Sequence, residues 1–85
     1  MQSNTYVATL KADPFLIEGL GEYLAAKGRS ARWLGITVAG DPRLLPNLKR
    51  GQAYPAAILL ALAQRLLAFY NEGLAKEEAA ARLAA

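Results

Sequence analysis

One stretch of the sequence, residues 27–50, combines positive charge with side chains that can recognise nucleic-acid bases. It carries six basic residues and one acidic residue, a local charge of +5, whereas the rest of the chain sums to −2. Such a block attracts polyanions, although an ordinary solvated surface is the alternative. Arg43 and Asn47 are of the types that form paired hydrogen bonds with guanine and adenine, respectively. We therefore predict that these two side chains read bases, with contacts to phosphate or water as the alternative.

Other side chains of the same stretch suit supporting contacts. Leu44 and Pro46 are candidates for apolar contact with a thymine methyl group, and the alternative is that these positions read little sequence directly. Candidates for phosphate contact share a hydroxyl or a positive charge, and they are Arg29, Ser30, Arg32, Lys49 and Arg50. Asp41 would repel phosphate, so we expect it to cap a helix, with a hydrogen bond from cytosine N4 as the alternative.

Two aromatic residues have more than one role open to them. Trp33 is expected in the core or at its rim, with contact to sugar and phosphate as the alternative. Tyr54 either covers the core or touches a nucleic-acid backbone, and the sequence alone does not choose between these roles.

The composition excludes several classes of chemistry. The chain has no cysteine and no histidine, which excludes thiol nucleophiles, Cys/His zinc sites, histidine general bases and disulfides. No phosphate-binding loop or dinucleotide-binding glycine pattern occurs. The carboxylates are accounted for as caps, at Asp13 and Asp41, or as exposed helix positions. We therefore predict no enzymatic activity, no metal and no cofactor.

The length and the apolar runs place further limits. Eighty-five residues allow one domain. The longest uncharged apolar run, 54–63, is much shorter than the roughly 20 residues that a membrane-spanning helix needs, and the N-terminus lacks the features of a signal peptide. We expect a soluble cytoplasmic protein associated with the nucleoid.

Three helices can be placed from local capping signals. Asp13 and Pro14 predict a helix over 14–27 that ends before Gly28, since Asp favours the N-cap, Pro the first turn and Gly the C-terminal cap. Ser30 predicts a second helix over 31–39. Asp41 and Pro42 predict a third over 42–50. Residues 1–12 have no helical period, and Tyr6, Ala8 and Leu10 alternate with other residues as in a strand. We expect an N-terminal arm, or one short strand, before a single domain over 13–85.

The C-terminal part, 55–84, is expected to hold one or two more helices. Apolar residues cover more than half of a helix predicted over 55–71, whereas a surface helix needs only one apolar stripe. The excess predicts a central core helix or a dimer interface, for which the candidates are Leu59, Leu66, Phe69 and Tyr70. Gly73 is expected to end this helix, and 75–83 then forms a fifth.

The segment 30–50 meets the physical demands of a helix-turn-helix. Its two short helices must cross where one residue is small, and Gly35 supplies that residue. Ala39 and Gly40 supply a permissive turn. The inner faces must be apolar, and the residues that provide this are Leu34, Val38, Leu45 and Leu48. The helix predicted over 42–50 then presents its outer face to the DNA major groove.

This segment resembles the helix-turn-helix of the λ-repressor-like (Cro- and repressor-type) transcriptional regulators. The residues that align are Gly28, Ser30, Leu34, Gly35, Val38, Leu45, Leu48 and the closing Lys49-Arg50-Gly51. The resemblance covers about residues 13–71. It implies a compact all-α domain of four to five helices in a bacterial or phage regulator. That regulator binds double-stranded DNA sequence-specifically, and we expect a homodimer, since most proteins that dock this way bind as symmetric pairs. We expect regulation through occupancy of an operator, or through contact with RNA polymerase or a larger regulator.

Two residues depart from the family pattern, and two other functions stay open. Ala39 stands where the family usually has glycine, and Pro46 would remove a hydrogen bond from a helix that begins at Pro42. The alternatives are a protein–protein interaction module that uses the apolar face of helix 55–71, and a non-specific or architectural DNA binder.

Overall fold

The structure is a computed structural model that describes residues 8–84, and within them it is mostly helical. The order of elements is β1 (Thr9–Leu10), α1 (Pro14–Lys27), α2 (Ala31–Ala39), α3 (Leu44–Lys49), β2 (Tyr54–Pro55) and α4 (Ala56–Ala84). The expected helical class is thus confirmed at this coarse level, and a two-strand sheet accompanies it, whose first strand lies in the segment for which a short strand was one of two expectations. The predicted arm, 1–12, lies outside the described residues up to Val7.

The first two helices begin and end where the local signals predict. The Asp13 carboxylate accepts a hydrogen bond from the backbone N–H of Phe15 at 2.7 Å, and Ser30 Oγ accepts one from Trp33 at 3.1 Å. Each cap satisfies a donor that has no partner inside the helix. Gly28 follows α1 with a φ of 65°, a conformation that glycine adopts without steric cost.

Helix α3 is shorter than predicted, and this removes the difficulty posed by Pro46. Instead of starting a helix, Pro42 lies in a turn closed by the Leu44 N–H, which donates to the Asp41 carbonyl at 3.2 Å. The helix begins at Leu44, so Pro46 falls in its first turn. The N–H groups there have no partner within the helix in any case, so Pro46 removes no helical hydrogen bond.

The predicted break at Gly73 is wrong, because α4 continues through it for 29 residues to Ala84. A single glycine costs a helix about 1 kcal/mol relative to alanine, which the Ala-, Leu-, Glu- and Lys-rich neighbours can offset. The predicted fifth helix is therefore the second half of α4. Every residue from Tyr70 to Leu83 is exposed, so this half projects from the domain.

The two strands pair antiparallel, with Thr9 opposite Pro55 and Leu10 opposite Tyr54. The Ala56 N–H also donates to the Ala8 carbonyl at 3.0 Å. The residue just before β1 thus supplies a partner for a backbone donor in the first turn of α4.

The core lies where all four helices meet. Its fully buried side chains are all leucines, one from α1, one from α2, two from α3 and one from α4, namely Leu20, Leu34, Leu44, Leu48 and Leu62. Tyr23 on α1 packs edge-to-face against Phe69 on α4, with ring centroids 5.4 Å apart. This packing fixes α2 and α3 against the longer α1 and α4.

Candidate nucleic-acid interface

The contact between α2 and α3 depends on Gly35. A Cβ atom at this position would collide with the carbonyl oxygen of Asp41 and would lie 3.1 Å from Leu44 Cβ. The same turn is held by the Asp41 N–H, which donates to the Gly35 carbonyl at 3.1 Å. The prediction that the helices need a small residue here is confirmed. Ala39 stays helical, and the left-handed conformation falls on Gly40, with a φ of 66°.

A chain of polar side chains connects the turn, α3 and β2. The Tyr54 hydroxyl donates to Asp41 Oδ2 at 2.7 Å and accepts from Asn47 Nδ2 at 2.9 Å. Asn47 Oδ1 in turn accepts a hydrogen bond from the Arg50 guanidinium. The phenol ring is buried, at 7 % exposure. Because the ring is held in the core, its hydroxyl fixes the position of the hydrogen-bonded side chains of Asp41 and Asn47. Tyr54 covers the core, which answers the question that the sequence left open.

The hydrogen bond between Tyr54 and Asp41 defines the protonation states of both side chains. The hydrogen bond from Tyr54, followed by that from the Arg43 N–H, lowers the pKa of Asp41. Burial, followed by the hydrogen bond to Asp41, raises the pKa of Tyr54. At neutral pH the carboxylate is therefore ionised and the phenol neutral. The acid of the basic block thus accepts hydrogen bonds from Tyr54 and from the Arg43 N–H, at 2.9 Å.

The base-reading candidates divide into two exposed residues, one half-buried residue and one buried residue. Arg43 and Pro46 are exposed at the start of α3, and Asn47 is half-buried. Leu44 is 0 % exposed, so it cannot touch a base, and the prediction for this residue is wrong. With the helix beginning at Leu44 and not at Pro42, this leucine faces Gly35 and the core.

Asn47 is more constrained than the sequence suggests. One of its two amide N–H groups goes to Tyr54, and one of its two oxygen lone pairs accepts from Arg50. One donor and one acceptor site remain, which is the number that a paired contact with adenine needs. Tyr54 and Arg50 therefore fix the orientation of this amide.

The phosphate-contact candidates all lie on exposed positions around α2 and α3. These residues are Arg29, Ser30, Arg32, Lys49 and Arg50. Ser30 is engaged as the cap of α2, which leaves its hydroxyl hydrogen free to donate. The Arg29 guanidinium lies 4.9 Å from the centre of the Trp33 ring, a cation–π distance.

The positive charge of this surface is not neutralised by carboxylates. Within residues 8–84, the one salt bridge joins Lys27 to Glu72, at 3.5 Å. The other basic residues of the block form no salt bridge in this part of the chain, although the Asp41 carboxylate interacts electrostatically with Arg43. The surface around α2 and α3 thus keeps nearly its full formal charge.

Arg65 on α4 is a basic residue near this surface that sequence reasoning missed. Its guanidinium lies 5.7 Å from the Trp33 ring centre and donates to the Tyr23 hydroxyl at 3.2 Å. Trp33 is half-buried and packs against the core, as expected. A contact between residues so far apart in the chain leaves no local pattern that could have predicted it.

The predicted dimer residues do not form one open face. Leu66 is 7 % exposed and belongs to the core, so the prediction for it is wrong. Leu59 and Phe69 are partly buried against the same core. Tyr70 alone among the four is exposed, at 44 %. Three of these four residues therefore pack against the core of their own domain.

The comparisons with known proteins identify no relative. No family model matches the chain, and neither the curated proteins nor the solved structures contain a significant match. Over the described residues, no helix is both long enough and apolar enough to cross a membrane. In the same part of the chain, no group of acidic side chains is arranged to hold a metal ion.

Proposed function

We propose that this protein binds double-stranded DNA sequence-specifically as a small transcriptional regulator, with α3 in the major groove. The observation that carries the proposal is the exposed set of basic side chains around α2 and α3, which form no salt bridge within residues 8–84. A surface of this kind is suited to the phosphate backbone, which supplies most of the non-specific affinity for DNA.

The geometry of the two helices supports the same interpretation. Gly35 allows the turn before α3 to lie directly on α2, and the buried Leu44, Leu45 and Leu48 hold α3 by its inner face. The outer face then carries Arg43, Pro46 and the half-buried Asn47. Helix-turn-helix proteins use the N-terminal residues of their second helix in this way.

Roles follow from position and chemistry. Arg43 reads guanine through paired hydrogen bonds, Asn47 reads adenine from its fixed orientation, and Pro46 contacts a thymine methyl group. Backbone phosphates are bound by the exposed cations on either side, namely Arg29, Arg32, Lys49 and Arg50, with Ser30 as a neutral donor. The active unit is a homodimer on paired half-sites, since proteins that dock this way bind as symmetric pairs.

The test is selection of binding sites from randomised duplexes, followed by titration of the enriched site and of bulk DNA at several salt concentrations. We expect an enriched site bound at least ~10³-fold more tightly than bulk DNA. Arg43→Ala should lose about 1–3 kcal/mol of discrimination at one base position. Arg82→Ala is the matched control, since it removes another exposed arginine from the far end of α4.

Two outcomes would contradict the proposal. Steep salt dependence without an enriched sequence would leave a non-specific or architectural binder. Absence of binding at low salt would exclude DNA recognition altogether. Asn47→Ala is a poorer test than Arg43→Ala, because it also removes the hydrogen bonds to Tyr54 and Arg50.

A further inference from the structure

The outer side of α4 carries an apolar stripe that the domain leaves largely exposed, although the Tyr70 hydroxyl lies close to Gly19 of α1. Leu60, Leu67 and Leu74 are 58 %, 58 % and 59 % exposed, and Tyr70 is 44 % exposed. Ala63 lies between them and is exposed as well. Scattered apolar residues on a surface need no explanation, but these five lie along one side of a single helix.

The spacing of these residues is that of a coiled-coil seam. The positions 60, 63, 67, 70 and 74 alternate in steps of three and four, which averages 3.5 residues and matches heptad positions a and d. The residues that face the domain, such as Leu62 and Phe69, fall on a different side of the helix. A regular seam of this kind fits another helix better than an irregular protein surface.

We propose that the seam joins two copies of this chain, with the two α4 helices antiparallel. We name the five residues Leu60, Ala63, Leu67, Tyr70 and Leu74 the α4 seam. A twofold axis between residues 67 and 70 places Leu67 opposite the partner's Tyr70 and Ala63 opposite the partner's Leu74. Each of these layers combines side chains of complementary size and occurs twice in the symmetric contact, whereas Leu60 lies opposite the partner's Glu77 at the two ends of the contact.

The charges along α4 favour the antiparallel arrangement. The first half of the helix contains Arg65 and no acidic residue, a charge of +1, whereas the second half carries Glu72, Glu77 and Glu78 against Lys76 and Arg82, a charge of −1. Parallel helices would bring Glu77 and Glu78 beside the same residues of the partner. Antiparallel helices bring them beside the start of the partner's α4, where the helix dipole favours negative charge.

The same arrangement explains why α4 extends beyond its own domain. No residue from Tyr70 to Leu83 is buried or half-buried, so the second half of the helix has little to pack on within one chain. In the antiparallel pair, this half lies along the first half of the partner's α4. This inference relies on the proposed function only for treating the DNA-binding unit as a pair.

The first experiment measures association without DNA, by sedimentation equilibrium of the full chain over about a 100-fold range of concentration. We expect a species of twice the 9.1 kDa chain mass. Leu67→Lys should raise the dissociation constant at least about tenfold, with its helical circular dichroism unchanged because Leu67 is exposed. Leu83→Lys is the matched control, since Leu83 is 89 % exposed and lies off the α4 seam.

The second experiment determines the direction of the helices by disulfide cross-linking. The chain has no cysteine, so each introduced thiol is unique. A mixture of Ala63→Cys and Leu74→Cys chains should cross-link to each other, while neither variant should cross-link to itself. Self-linking of Leu74→Cys would show a parallel pair and overturn the antiparallel arrangement.

The outcomes separate this inference from the proposed function. A wild-type chain that stays monomeric at every concentration overturns the α4 seam as a contact between copies, even if that monomer binds DNA specifically. If Leu67→Lys and Leu83→Lys raised the dissociation constant of the dimer equally, that result would also overturn the α4 seam. A dimer that behaves as expected but binds no DNA would leave the α4 seam standing and contradict the proposed function.

Discussion

Replacing Gly35 by alanine should destabilise the protein, although alanine is the better helix former. Alanine in place of a helical glycine is worth about 1 kcal/mol of stability where nothing else changes. At position 35, however, the new Cβ would collide with the Asp41 carbonyl oxygen and crowd Leu44 Cβ. Asp41 lies in the turn before α3 and Leu44 is the first residue of α3. The turn and the start of α3 must therefore move away from α2.

The size of the effect follows from what the movement disrupts. Crowding a packed interface typically costs about 1–3 kcal/mol. Displacing Asp41 also weakens the hydrogen bond from the Leu44 N–H to its carbonyl, a bond worth about 0.5–1.5 kcal/mol. After the helix-propensity gain is subtracted, we expect Gly35→Ala to lower the free energy of unfolding by about 1–3 kcal/mol.

Gly21→Ala is the matched control, because Gly21 lies within α1 and a Cβ there meets nothing within 4 Å. It should raise the free energy of unfolding by about 0.5–1 kcal/mol. The two variants carry the same chemical change and should have opposite signs. Urea unfolding at one fixed protein concentration, followed by circular dichroism and by the fluorescence of Trp33, measures both.

Equal stability of Gly35→Ala and Gly21→Ala would contradict this expectation. It would mean that α2 and the turn before α3 do not approach as closely as described. The placement of Arg43 and Asn47, which depends on this approach, would then lose its basis.

Three further predictions concern the same surface and the core. Tyr54→Phe should lower the free energy of unfolding at pH 7, and it should lower it by less near pH 3. The hydrogen bond from Tyr54 lowers the pKa of Asp41 in the folded protein. This contributes stability above 3.8, the pKa of Asp41 in the unfolded chain, and the contribution is lost as the pH falls through the lower pKa of the folded state. Urea unfolding of both proteins across this range measures the difference. Lys49→Gln should reduce the slope of log affinity against log salt by about 0.9 for each phosphate that is no longer neutralised, and Lys76→Gln should not. Leu44→Ala should lower the free energy of unfolding by about 2–5 kcal/mol. Leu83→Ala, at an 89 % exposed position, should change it little, and thermal unfolding of both variants measures the difference.

Elements with strong local chemistry could be predicted from the sequence. Asp13 with Pro14, and Ser30, fix the starts of α1 and α2 through hydrogen bonds to residues two or three positions away. The start of α3 could not be predicted as well, because an aspartate before a proline serves a turn as readily as a helix. That shift of two residues rotated Leu44 from the expected outer face into the core.

The contacts that connect distant parts of the chain leave no periodic signal. Tyr54 and Asp41 are 13 residues apart, and their hydrogen bond depends on the placement of β2 beside the turn. The division of α4 into a buried side and the α4 seam likewise depends on where α1 packs. The apolar excess of this helix was evident in the sequence, but which leucines it leaves exposed was not.

The short strand pair has a consequence for how the chain folds. By joining Leu10 to Tyr54, it closes a loop that contains α1, α2 and α3 entirely. Closing a long loop costs chain entropy before its own contacts compensate, whereas each helix forms from neighbouring residues. We expect the strands to pair after the folding barrier, so weakening them should speed unfolding and leave the folding rate almost unchanged.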